Sequence, residues 1–287
     1  MKKLGIVALV GVVLIGMVMG CQVRPSAHVT AMTFNLRHPK PHDEHGWDER
    51  RNAVADILDD EFPDIVGFQE VTRDMYDDLT RMLGDRYDGY GFMRSEEDDS
   101  EMTPVFLKRH TYDLLDKGHF FLSETPEVDY SIGWDAKYPR VAAWVVAGDP
   151  HTKKPELVVI NTHFDHKGID AQTQSGKLVV DEARRLGDRY DCPTVVMGDL
   201  NSSPVDLAVL AFTDGGRYLD SYHSLAEDKQ QDAATSHKGE GKTFGKPIDY
   251  IFVEKPLSIA ESRIVTDRPG GIWPSDHFPV VVNVVAN

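Results

Sequence analysis

Short apolar runs that break off in Asn, Gln, Glu, Asp or His constrain this chain more than any other feature. HVTAMTFNL (28–36) alternates and is rich in β-formers, and it delivers Asn35. DIVGFQE (64–70) ends in Gln69 and Glu70. The run 156–163 leads into INTHFDH, with Asn161, His163, Asp165 and His166. CPTVVMGDLN (192–201) delivers Asp199 and Asn201, IDYIFV (248–253) carries Asp249, and Asp276-His277 precede FPVVVNVV (278–285). Between these runs lie helical spacings. Ala53, Val54, Ile57, Leu58 and Phe62 predict a helix over 49–62, and Met75, Leu79, Met82 and Leu83 mark a second. Leu178, Val179, Ala183 and Leu186 mark a third over 170–190. Further strand-like runs occupy 103–109, 111–122, 140–147 and 257–265. Strands and helices are intermixed with no fixed repeat and no interdomain linker, which predicts one α/β domain over 28–287. The acidic run 95–101 and the polar stretch 226–246 read as solvated surface loops.

One polar strand end is ordinary, because Asp and Asn are turn formers and helix caps. The set, however, is chemically coherent. Glu70, Asp199 and Asp276 are hard oxygen ligands suited to Mg²⁺ or Mn²⁺. His163 and His277 can give protons to a phosphate or position a water. Asn35 and Asn201 are neutral hydrogen-bonders, and Asp249 can hold one imidazole in its working tautomer. Phosphoryl chemistry asks for this mixture, since it needs charge neutralisation and positioning more than a strong side-chain nucleophile. Residues 37–51 form a local basic patch, in which Arg37 and Arg50 are candidates for substrate-phosphate contact. Arg140, His166 and Lys167 are further candidates by motif position, and Trp47 and Trp134 are either stacking platforms or buried anchors. Other chemistries fit poorly. GEGKTFG (239–245) lacks the earlier glycine of a P-loop, no G-x-S-x-G supports a serine hydrolase, and His38–His45 offers no recognised zinc spacing. Two cysteines exclude a disulfide-rich scaffold, and Cys192 reads as a small buried hydrophobe.

NLR (35–37), FQEV (68–71), NTHFDH (161–166), GDLNSSP (198–204), IDYIFV (248–253) and SDHFPV (275–280) resemble the successive motifs of the endonuclease/exonuclease/phosphatase superfamily, the DNase I-like group. All six occur in the family's order. FFLSETP (120–126), WDAKYPR (134–140) and Gly46-Trp47 with Arg50 are similar to a bacterial lipoprotein branch of it. The resemblance implies a four-layer αββα sandwich, two facing mixed β-sheets flanked by helices, with the site at one end. It implies a metal held by Glu70 with Asn35 beside it, and Asp276 as ligand or as a group behind the ligands. Asp199 would orient or deprotonate the attacking water, Asn201 would contact the scissile phosphate, and Asp249 would pair with His277. His163 and His277 would stabilise the transition state or protonate the leaving group, with the general base left open between Asp199 and His277. The implied function is a Mg²⁺- or Mn²⁺-dependent phosphoesterase. A phosphodiesterase, nuclease or 3′–5′ exonuclease-like, leads. The alternatives are a monoesterase for sugar, inositol or nucleotide phosphates, and a non-catalytic binding lipoprotein on the same scaffold. The formal charge of −16 weighs against gripping nucleic acid through a broad basic face and suits a phosphorylated metabolite or lipid head group better.

Lys2 and Lys3 followed by the apolar run Leu4–Gly20 read as a secretory signal, and Gly20-Cys21 resembles a lipobox. Residues 1–20 are expected to be removed, Cys21 to be lipidated, and 21–27 to tether an acidic, monomeric domain to the cell envelope. Replacing Cys21 by Ser is expected to move the protein from the membrane pellet to the soluble fraction. A variant that stays in the pellet would remove the anchor.

Overall fold

The computed structural model describes residues 28–243 and 245–286. The signal, Cys21 and the tether lie outside the described residues. Among the described residues, twelve strands form two six-stranded sheets. The first contains β1 (Val29–Asn35), β2 (Ile65–Gln69), β3 (Tyr87–Tyr90), β4 (Val105–Lys108), β11 (Leu257–Ile264) and β12 (Val280–Ala286), in the order β11-β12-β1-β2-β4-β3. The second contains β5 (Asp113–Phe121), β6 (Val141–Gly148), β7 (Pro155–His163), β8 (Thr194–Asp199), β9 (Tyr218–Asp220) and β10 (Asp249–Glu254), in the order β5-β6-β7-β8-β10-β9. Helices α1 (Trp47–Glu61) and α2 (Arg73–Leu83) cover the first sheet, and α3 (Ile169–Tyr190) and α4 (Leu207–Thr213) the second. The four-layer αββα sandwich is the architecture the motifs imply.

The period-2 alternation of the central strands sorts side chains between layers. In β1, Met32 and Phe34 pack outward with Val54, Ile57 and Leu58 of α1. Val29 and Ala31 turn inward to the layer between the sheets, where Val195 and Met197 of β8 meet them. Val196 points the other way, toward Val179, Ala183 and Leu186 of α3. Both faces of these strands are dry, so they read as nearly continuous apolar runs. Gly67 in β2 permits the close approach of the sheets. A Cβ there would lie 2.7 Å from Met197 Sδ and 2.8 Å from the Asn161 side chain.

Sequence periodicity is silent over β3, β9 and α4. The two strands hold four and three residues, and the seven-residue helix is too short to show a 3.6-residue period. The two expected surface loops are the substantive differences. Within 226–246, Ala233, Ala234, Thr235 and His237 are buried, and Ser236 bridges to His277. The run 95–101 folds back on itself through Arg94 N–Glu101 O and Ser95–Ser100 hydrogen bonds and walls a cavity.

Gly67→Ala is expected to destabilise the fold by ~1–3 kcal/mol through overpacking between the sheets. Chemical denaturation would check it, and an unchanged midpoint would show that Met197 and Asn161 yield freely.

Candidate active site

The topology gathers the polar strand ends at one edge of the sandwich. β1 and β2 run parallel with Asn35 opposite Gln69, and β7 and β8 run parallel with His163 opposite Asp199. β10 is antiparallel to β8 and starts where β8 ends, which sets Asp249 opposite Asp199. Below this edge the sheets are pinned by a buried polar contact. Gln69 Nε2 donates to Asn161 Oδ1 at 2.6 Å, and Asn161 Nδ2 donates to the carbonyls of Phe68 and Pro104. Above it, Asn35 Nδ2 donates to Glu70 Oε1 at 3.1 Å and to Asp199 Oδ2 at 3.0 Å, joining one carboxylate from each sheet. Just past three strand ends the backbone turns left-handed, at Arg37 (φ 58°), Glu70 (φ 58°) and Asn201 (φ 49°). Non-glycine residues hold such a conformation only where their surroundings fix it, and these conformations cluster at functional sites.

The acids are short of positive partners. Glu70 Oε2 accepts from the His38 backbone N–H at 2.7 Å, and Asp199 Oδ1 from the Asn201 N–H at 2.8 Å. Burial, reinforced by the neighbouring Asp249, pushes the Asp199 carboxyl up to about 7. Asp249 Oδ2 accepts from Thr235 Oγ1 at 2.5 Å and from His277 Nδ1 at 2.8 Å, while its Oδ1 is buried with no partner among the described residues. Burial opposes a charge on His277, but Asp249 overrides it, with Asp199 3.9 Å away adding to the effect, and the imidazole is lifted to about 10. His277 therefore keeps its proton, with Nδ1 committed to Asp249 and Nε2 left to serve the cavity that the residue lines.

His163 behaves oppositely. Burial, with Arg140 second, holds it well below the ordinary imidazole range. Its Nε2 lies 3.1 Å from Asn201 Nδ2, which also donates to the Phe164 carbonyl at 3.0 Å. That carbonyl fixes the amide's orientation, so His163 Nε2 is an acceptor and the ring is neutral. Of the two histidines, His277 is the one whose surroundings hold a proton.

A cavity of about 480 Å³ opens over Glu70, Asp199, Asn201, His163 and His277. Part of its wall carries two arginines, and a small recess there is shared with Glu70. Arg140, only 4% exposed, reaches His166 Nδ1 with Nη2 at 3.2 Å, and its Nε makes no hydrogen bond. Arg94 lines the same wall, paired with Glu101 at 2.8 Å and lying over the Tyr138 ring. Glu101 also lies 3.3 Å from His38 Nδ1.

Other expected residues stand elsewhere. The Asp276 carboxylate pairs with Arg37 and lines a neighbouring cavity of about 280 Å³, so Asp249, not Asp276, is the acid beside Asp199. Arg37 pairs with Asp43 and Asp276 and lines that neighbouring cavity, not the one over Glu70 and Asp199. The Arg50 guanidinium is buried on backbone carbonyls. Lys167 is exposed and does not line the cavity, contributing only its backbone N–H to Asp165. Trp47 is a buried anchor on Asp78, and Trp134 does not line the cavity. Arg94, Glu101, Tyr138 and Thr235 escaped sequence reasoning. The only signal for Arg94 and Glu101 was the acidic run they bracket, and Thr235 carried none.

The profile of the endonuclease/exonuclease/phosphatase family matches residues 32–277. A family member from Bacteroides thetaiotaomicron is 30% identical at a TM-score of 0.80, with 91% of this chain and 98% of that one covered. A mannosyl-6-phosphatase of the same bacterium is 30% identical at 0.81, with 90% and 99% covered. The catalytic domain of human nocturnin, solved with a bound sulfate anion, is 18% identical at 0.71, with 91% and 95% covered, and shows the fold alone. No curated protein matches the chain. The chain belongs to the endonuclease/exonuclease/phosphatase family and is, in that general sense, a metal-dependent phosphoester hydrolase.

The residues present fit a divalent cation. Glu70 and Asp199 are hard oxygen donors bridged by one amide, and the up-shifted Asp199 and the orphaned Asp249 oxygen mark a deficit of positive charge. Ligand atoms of Asp199, Asp249 and His277 also lie within 4.8 Å of one another. The Asp249–His277 pair is engaged with itself, whereas Glu70 and Asp199 face the cavity. Glu70→Gln is expected to weaken Mg²⁺ or Mn²⁺ binding on the order of 10–100-fold by calorimetry and Asp249→Asn much less. Equal losses would place the ion in the Asp199–Asp249–His277 group. The pH linkage has a definite sign. Both raised groups stabilise the metal-free fold fully below their ordinary values, 3.8 and 6.5, and that stability is lost as pH rises through about 7 for Asp199 and about 10 for His277. The Tm of chelated protein is expected to fall between about pH 5 and about pH 9, and added cation to recover more of it at the alkaline end. A flat profile would remove both groups from the linkage.

Proposed function

We propose that the chain is a monoesterase for a small phosphorylated metabolite, a hexose phosphate being the favoured class, rather than the nuclease that leads on motif grounds alone. The observation that carries this reading is that Arg94 and Arg140 line the same cavity as Glu70 and Asp199. Each guanidinium depresses the proton affinity of His163, and Arg140 is depressed by burial first and by Arg94 second. Each has one acid beside it, Glu101 at 2.8 Å from Arg94 and Asp165 at 3.5 Å from Arg140, and a phosphate would be a further acceptor for both. A terminal phosphate dianion presents three oxygens to two such donors, whereas a diester inside a polymer presents two and carries one charge. Glu97 and Asp99 at the cavity rim, and a formal charge of −16, repel a polyanion. The 30% identity to a mannosyl-6-phosphatase over nearly all of both chains supports the same class.

The geometry then divides the work. Arg94 and Arg140 seat the phosphate, while Asn201, its amide donors spent on His163 and the Phe164 carbonyl, fixes the His163 ring. Asp199 accepts the proton of the attacking water, and charged His277 gives one to the departing sugar oxygen as the phosphorus–oxygen ester bond breaks. Asp249 keeps His277 oriented and protonated. A Mg²⁺ or Mn²⁺ held by Glu70, with Asp199 beside it, supplies Lewis-acid neutralisation of the phosphoryl charge.

Hydrolysis of mannose 6-phosphate and glucose 6-phosphate is expected to exceed that of bis(p-nitrophenyl) phosphate and of single-stranded RNA or DNA. It should disappear with EDTA and fall about 100-fold or more in Asp199→Asn and His277→Ala. Preference for a diester or a polynucleotide would reinstate the phosphodiesterase, and activity that survives exhaustive chelation would sink the metal mechanism.

A further inference from the structure

The first arginine of α1, Arg50, has no role in the scheme above, and its contacts are unusual. Arg50 is 3% exposed. Its Nη1 donates to the Leu36 carbonyl and to the Pro274 carbonyl, both at 2.7 Å, and its Nη2 donates to the Arg37 carbonyl at 3.0 Å. These acceptors belong to two chain segments more than 230 residues apart. One is the exit of β1, which carries Asn35, continues through left-handed Arg37 and gives the His38 N–H to Glu70. The other is the loop of Pro274 and Ser275 that ends in Asp276 and His277. Both terminal nitrogens of this buried guanidinium are filled while its Nε has no partner among the described residues, and a planar fork fixes the relative position of whatever fills it. The two segments are also tied at a second point, where Arg37 pairs with Asp276.

We propose that Arg50 is a positioning residue for catalysis. It clasps the exit of β1 to the loop of His277, and so fixes the distance between the Asn35–Glu70 side of the site and the proton donor. It acts through backbone carbonyls and touches neither substrate nor metal. The proposal needs only the family's phosphoester chemistry and stands whichever ester proves to be the substrate.

The clasp makes a prediction that simple stability does not. Lysine can fill one carbonyl but cannot span three. Arg50→Lys is therefore expected to lower kcat at least about tenfold with KM within about threefold of wild type, measured on the best substrate of the panel above. Asp78→Asn is the control, because Asp78 receives hydrogen bonds from Trp47 and Arg51 of the same helix and touches neither segment. It is expected to lower Tm while leaving kcat unchanged. Where Arg50→Lys unfolds at assay temperature, Arg50→Gln assayed in the cold, with kcat scaled to the folded fraction by circular dichroism, makes the same comparison. A raised KM with unchanged kcat would make Arg50 a substrate contact and overturn the proposal. So would unchanged kinetics with only a lower Tm, which is the behaviour of the Asp78 control.

Discussion

The site depends on one amide. Asn35 stands at the end of a strand in the first sheet and donates both N–H groups to acids, Glu70 from its own sheet and Asp199 from the facing one. Without it, two carboxylates would face each other across the gap between the layers, each missing a donor. A buried acceptor left unsatisfied costs ~1–3 kcal/mol, and more when charged. The amide also sets the spacing at which the acids present themselves, because its two N–H bonds diverge at a fixed angle. The Asn35 carbonyl oxygen is itself held by the Arg37 N–H at 2.9 Å, so the amide cannot rotate away.

Around that bridge charges of both signs share one cavity. Among Glu70, Asp199 and Asp249, burial and mutual repulsion favour a cation. Arg94 and Arg140 have Glu101 and Asp165 beside them, and burial and their mutual repulsion leave room for a further anion. A metal phosphoester complex satisfies both at once, and a free cation or a free phosphate satisfies one.

Much of this was legible in the sequence, for a physical reason. Central strands buried on both faces leave little room for polar residues except at their ends, so Asn35, Glu70, His163, Asp199 and Asp249 announce themselves where the apolar run stops. Their motif order then identifies the fold. What stayed hidden was pairing across space. Asp276 follows the same rule as Asp199, yet Arg37 claims its carboxylate. Arg50 has the residue type of a phosphate ligand, but three carbonyls from distant segments absorb it. Thr235 lies in a stretch as polar as any solvated loop, and only the fold shows that it is buried against Asp249. Arg94 gains meaning from Glu101 and Tyr138, which place it in the cavity wall.

The ladder position of Asp199 has one more consequence. It faces His163 along β7 and Asp249 along β10, so both of its ladder partners belong to the candidate site. A slip of β8 by a single residue would present Gly198 or Leu200 to them and turn Asp199 toward the opposite face of the sheet. Turnover is thus an assay of strand register. A molecule that hydrolyses its ester has aligned the centre of its second sheet correctly, and a compact molecule that does not has a specific place to look for the fault.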